Sequence, residues 1–165
     1  MSKKALKKKI LEAQKSADIA SLYLLEQEVN ELFDEETLHG YYANILDLAL
    51  EKLTDTLESH RIMDMCDVQD FATLRALYEY AMEHYSVKKA NDAAALFEVL
   101  SGLSRDEKFS NAMKLHQIAA LENLSLDDFL EKIADLPATE KARTFYVSHF
   151  TKKAQELLNN KSKKG

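Results

Sequence analysis

Apolar residues recur at three- and four-residue spacing along nearly the whole chain, and no stretch sustains the two-residue alternation of a half-buried strand. The pattern predicts helices alone, arranged as an all-α, six- to seven-helix bundle. From about Lys3 to Phe33 a drifting stripe carries Leu6, Ile10, Ala13, Leu25, Val29 and Leu32, with a break near Ser16 to Asp18. A second helix, from about Glu36 to Arg61, presents Tyr42, Ile45, Leu46, Ala49, Leu53 and Leu57 as one apolar face. The period is lost over Ile62 to Asp67. Asp67 and Asp70 then supply an acidic start for a third helix, whose Phe71, Leu74, Leu77, Tyr78, Ala81 and Tyr85 are expected to face inward.

Lys88 and Lys89 interrupt the pattern before Ala90, Ala93, Ala94, Phe97 and Leu100 resume it, so a short turn there makes a helical hairpin closed by Gly102. Ser104 to Glu107 reads as a capping box, in which the serine oxygen and the glutamate carboxylate satisfy orphan amides at a helix start. The fifth helix places Phe109, Ala112, Met113, His116 and Ala120 on one face. A second box-like pattern, Ser125 to Asp128, opens a short helix with Phe129, Leu130 and Ile133, ended by Pro137. The last helix is expected from about Thr139 to Leu158, burying Ala142, Phe145, Tyr146, His149, Phe150, Ala154 and Leu157.

Composition narrows the class. The 165 residues fit a single helical domain, and only three Gly and one Pro leave few breakpoints. The net charge of −6 hides an asymmetry: residues 1–15 hold six Lys against one Glu, and residues 141–165 hold seven Lys/Arg against one Glu. Between them lie nine Lys/Arg and 26 Asp/Glu, an acidic body that repels a phosphate backbone and disfavours nucleic-acid binding. The ends, residues 1–15 and 159–165, are expected to fray. One cysteine, Cys66, suits a reducing compartment, while no signal peptide and no run of ~18 apolar residues is present. A cytoplasmic protein without a membrane span is expected.

Candidate chemistry is sparse. No glycine loop that cradles phosphate and no paired Cys-x-x-Cys occurs, and a Glu-x-x-His spacing is found only at Glu36 and His39. His60, Met63, Met65 and Cys66 include soft ligands suited to Cu(I), but they equally describe sulfur side chains filling a core gap, which is the favoured reading. His116 and His149, on apolar faces, read as hydrogen-bonded core or interface residues. The expectation is a non-enzymatic protein with no catalytic residue, cofactor or metal.

The stretch Leu77 to Leu100, LYEYAMEHYSVKKANDAAALFEVL, resembles one tetratricopeptide-like helical hairpin: small Ala81 and Ala93 let two helices approach, Tyr85 and Phe97 wedge beside them, and Lys88 stands where that family commonly has glycine. Within that broad class the chain looks most like bacterial secretion chaperones. The block from Tyr41 to Tyr85, with LDLALEKLTDTLESHRIMD and DFATLRALYEYA, is similar to flagellar co-chaperones that bind the flagellin chaperone FliS. The resemblance implies a protein-binding adaptor or co-chaperone whose partner is a flagellin or secretion chaperone. Exposed groups on the second to fourth helices would make the contact, with Tyr42, Leu46, Tyr78 and Tyr85 as candidates. The competing expectation is a helical regulatory or assembly subunit that forms a homodimer.

Overall fold

The computed structural model describes residues 1–164, with side chains through Asn159. Among the described residues there are ten α-helical segments, one π-helical turn and no strand. The fold is all-α, more finely divided than the six or seven helices expected. Where the length predicts one domain, the chain divides into two compact units, Met1–Leu77 and Tyr78–Gly165, and the boundary falls within the fifth helix.

Unit 1 comprises α1 (Lys3–Lys15), α2 (Ile19–Leu24), α3 (Glu26–Leu32), α4 (Glu35–Glu58) and the first half of α5 (Val68–Ser86). The lysine-rich α1 is helical from Lys3 to Lys15. Ser2 caps it by accepting from the Ala5 N–H at 3.1 Å, and its i, i+4, i+7 stripe of Leu6, Ile10 and Ala13 is buried, which docks the helix whatever its outer charge. Asp18 caps α2, accepting from the Ser21 N–H at 3.0 Å, and Asp34 caps α4, accepting from the Thr37 N–H at 2.8 Å. The buried line of α4 is Tyr41, Ile45, Ala49 and Thr56. Ile45 and Ala49 are buried as expected, while Tyr42, Leu46 and Leu53 are half-buried and Leu57 is exposed.

Unit 2 continues with α6 (Ala90–Leu103), α7 (Glu107–Leu121), α8 (Leu126–Asp128) running into a π-helical turn (Phe129–Ile133), α9 (Leu136–Ala142) and α10 (Lys152–Lys164). Gly102 lies inside the last turn of α6 and does not close it. The expected capping box is displaced: Asp106, not Ser104, caps α7 by accepting from the Phe109 N–H at 2.9 Å. Ser104 instead accepts from the Asp106 N–H at 3.1 Å. Fully burying Phe109 fixes where the helix starts, and only an acceptor at 106 then reaches its amide. Ser125 does cap α8, accepting from the Asp128 N–H at 3.1 Å. Pro137 occupies the first turn of α9, where its missing N–H costs nothing.

The expected last helix over Thr139–Leu158 is interrupted. Arg143 ends α9 in the left-handed conformation, and Thr144 to Phe150 are not helical. This segment pairs with the end of the π turn: the Asp135 N–H donates to the His149 carbonyl and the Thr151 N–H to the Ile133 carbonyl, each at 2.8 Å. Thr144, Phe145, Tyr146 and Val147 are β-branched or aromatic, the types that lose most rotamer freedom in a helix. Helix resumes in α10 and carries the backbone to Lys164, where a loose tail from Asn159 was expected; Gly165 and the side chains from residue 160 onward lie outside the described residues.

Five helix ends close without glycine: Arg143, at φ 57°, and four others that share one hydrogen-bond pattern. Ala17, His60, Lys88 and Asn123 adopt positive φ of 52°, 55°, 65° and 64°. After each, the next amide reaches back to a carbonyl in the last turn, as Asp18 N–H does to Ala13 at 2.8 Å and Lys89 N–H to His84 at 3.0 Å. A Cβ in this conformation is strained by ~1–2 kcal/mol. Ala17→Gly is therefore expected to stabilise the chain by about 1 kcal/mol, read as a raised urea midpoint; an unchanged or lowered midpoint would contradict the left-handed assignment.

Candidate functional site

The four residues expected at a partner interface do not form one surface. Tyr42 and Leu46 sit half-buried on α4 in unit 1. The Tyr42 hydroxyl donates to Glu26 at 2.6 Å and accepts from the Asn30 amide at 3.2 Å, which ties α3 to α4. Tyr78 and Tyr85 are only 4% and 3% exposed in unit 2, which corrects the expectation that they present a contact face. Their rings are drawn inward by Phe97, at 6.3 Å from Tyr78 and 6.2 Å from Tyr85.

Each buried hydroxyl has a partner. The Val147 N–H donates to Tyr78 Oη at 3.1 Å, and Tyr78 Oη lies 2.8 Å from His116 Nε2. His116 Nδ1 is 2.6 Å from the Ala112 carbonyl. Because a carbonyl only accepts, Nδ1 carries the proton and Nε2 accepts from Tyr78. Burial, only partly opposed by the Ala112 bond, pushes the His116 pKa down to about 4, so the ring is neutral. Burial also raises the Tyr78 phenol and keeps it a donor. Tyr85 Oη donates to the Leu124 carbonyl at 2.7 Å. These contacts explain the aromatic stripe of α5 as core.

Among the open features of unit 1 is a groove of about 680 Å³, built from α2, the segment before α5 and the first turns of α5. Ala20 and Ala72 line it together with three large apolar side chains: Leu24, Val68 and Phe71, exposed by 81%, 69% and 41%. Phe71 was expected to face inward. It lies instead with Val68, Ala72 and Arg75 on a stripe of α5 centred more than a third of a turn from Leu74 and Leu77. The polar groups of the groove are fixed in place. Gln69 donates to Asp18 at 2.5 Å and accepts from the Ala20 N–H at 3.2 Å. Hydrogen bonds from the Ser21 hydroxyl first, then from Gln69, hold the Asp18 carboxyl below its usual pKa. Arg75 pairs with Glu26 at 3.0 Å and stacks 3.9 Å over the Tyr23 ring.

Leu24, Val68, Phe71 and Arg75 were not singled out from the sequence as contact residues. The available signal was Val68, an apolar residue of α5 outside the stripe expected to face inward. The soft-ligand cluster is also divided: Met63 is buried as core, Met65 and Cys66 line the groove, and His60 is exposed. Among the described residues, no three His, Cys, Asp or Glu side chains are grouped to hold a metal ion. His149 is half-buried, with Nδ1 at 3.0 Å from the Ser148 hydroxyl. No described helix is long and apolar enough to cross a membrane.

No family model matches the chain, and no curated protein or solved structure matches it either.

Proposed function

We propose that the protein is a non-enzymatic, cytoplasmic adaptor that binds another protein through the groove between α2 and α5, and that it serves as a co-chaperone of an export chaperone of the flagellin-chaperone type. The observation that carries the binding role is the exposure of Leu24, Val68 and Phe71 around one preformed groove. Such side chains each gain ~1.5–3 kcal/mol on full burial, and a cluster of them in a concavity is the usual form of a protein contact. The hydrogen-bonded Asp18, Gln69 and Arg75 lower the entropic cost of association by ordering the walls beforehand. The choice of partner rests on the likeness of the Tyr41–Tyr85 block to flagellar co-chaperones.

The test is a calorimetric titration of the chain with a purified flagellin chaperone of the FliS type. Binding at one-to-one stoichiometry is expected. Phe71→Ala, at a half-exposed helical position that alanine suits, is expected to weaken it by about 2 kcal/mol, or roughly 30-fold in affinity. No heat of binding, together with a stable homodimer by light scattering, would replace the co-chaperone reading with self-association.

A further inference from the structure

We infer that the occupant of the α2–α5 groove is a single amphipathic helix of the partner, apolar on one face and rich in lysine or arginine along its flanks. The inference rests on the groove being the binding site, and adds what the groove selects.

The first argument is spacing. Val68, Phe71, Ala72 and Arg75 stand at i, i+3, i+4 and i+7, the interval at which one helix receives another along a seam. Val68 and Phe71 are exposed while Ala72, which follows Phe71 and precedes Arg75 on the stripe, is 5% exposed. A small residue flanked by large ones lets a second helix approach to the usual ~8–10 Å between axes. Leu24 stands on the opposite wall. Among the described residues there is no strand, so unit 1 offers no sheet edge for an extended peptide to join. An incoming segment has to satisfy its own backbone groups, and a helix does so.

Charge supplies the second argument. The two segments that line the groove, 18–24 and 65–75, contain three carboxylates, Asp18, Asp67 and Asp70, and one cation, Arg75. Arg75 is committed to Glu26 at 3.0 Å and Lys52 to Asp70 at 2.9 Å. Counting Glu26 and both cations, a charge of −2 remains around an apolar centre. That field attracts basic flanks and repels acidic ones.

The experiment uses the full chain and two synthetic peptides of about 18 residues, long enough to hold a helix. Both carry leucine at i, i+3, i+4 and i+7; one has lysine on its flanks and the other glutamate. Affinity is read by calorimetry at low and high salt. Occupancy of the groove is read as slowed alkylation of Cys66, the exposed lone thiol on its lining, by a bulky maleimide. The lysine peptide is expected to bind at least about tenfold more tightly, with an advantage that shrinks as salt rises. It should protect Cys66. Val68→Asp, at an exposed position and with its fold checked by circular dichroism, should abolish both binding and protection. Because that variant adds negative charge, binding driven by charge alone would instead strengthen.

Equal binding of the two peptides, or a preference for glutamate, would overturn the selection for basic flanks while leaving the groove as the binding site if Phe71→Ala still weakens the chaperone complex. Lysine-peptide binding that neither protects Cys66 nor responds to Val68→Asp would overturn the groove itself. A dimer of the chain alone that already shields Cys66 would replace the partner's helix with a second copy.

Discussion

Tyr78→Phe is expected to destabilise unit 2 by roughly 2–5 kcal/mol, a large loss for the removal of one oxygen atom. Volume is almost conserved, so the loss is polar. The hydroxyl accepts from the Val147 N–H at 3.1 Å and lies 2.8 Å from His116 Nε2. Val147 and His116 are 6% and 0% exposed, which leaves neither group ready access to water once the hydroxyl is gone. Each stranded group costs ~1–3 kcal/mol. The measurement is the urea midpoint of the variant beside wild type. A change below about 0.5 kcal/mol would mean that the hydroxyl does not join the non-helical segment to α5 and α7. Under conditions where the variant is folded, its affinity for the proposed partner is expected to equal that of wild type, because Tyr78 is core and does not line the groove. A selective loss of affinity in the folded variant would return Tyr78 to the interface.

Acid titration is expected to remove about 3 kcal/mol of stability between pH 6.5 and 4 through His116 alone. In the folded chain burial lowers its pKa from 6.5 to about 4. Above pH 6.5 the ring is neutral in both states and contributes no slope. As pH falls through this window the unfolded chain takes up a proton that the folded chain refuses, so stability drops. Below about pH 4 both states are protonated and this contribution is flat. Asp18, whose pKa is lowered in the fold, acts at lower pH: its contribution is present above the ordinary carboxylate value of 3.8 and lost below it. Urea midpoints at half-unit steps of pH test the slope, and the His116 ring proton resonances should keep their neutral positions down to pH 5. Resonances that titrate near pH 6.5 would show that the imidazole is open to solvent and that the Tyr78 bond is not maintained.

Several helix ends were poorly marked in the sequence for a specific chemical reason. Glycine is the usual residue at a left-handed helix end, and the three glycines of this chain occupy none of those ends. Ala17 and Asn123 in their place look like ordinary helical or loop residues. At the start of α7, Ser104 and Asp106 are both competent caps two residues apart, and burial of Phe109 chose between them. Over Thr144–Phe150 the apolar spacing suited a helix. Phe145 and Tyr146 instead reach Phe109, at 5.8 and 5.0 Å, from a non-helical segment, and the bonds of that segment to Ile133 and Asp135 replace those a helix would have made.

The sequence by itself determined that the chain is helical, where most of the long helices lie, and that Leu6, Ile45, Phe97 and His116 are core. Those properties follow from the spacing of residues three and four apart, which a helix brings together whatever surrounds it. Tertiary structure decided which part of the apolar surface of α5 is covered. Tyr78 and Tyr85 are as apolar in pattern as Val68 and Phe71, and nothing local distinguishes the pairs. The distinction comes from Phe97, His116 and Phe129, residues distant in sequence that close over the tyrosines, while Val68 and Phe71 are left exposed on a groove. An exposed face is defined by the absence of a neighbour, and a helical period records only the residues of its own helix.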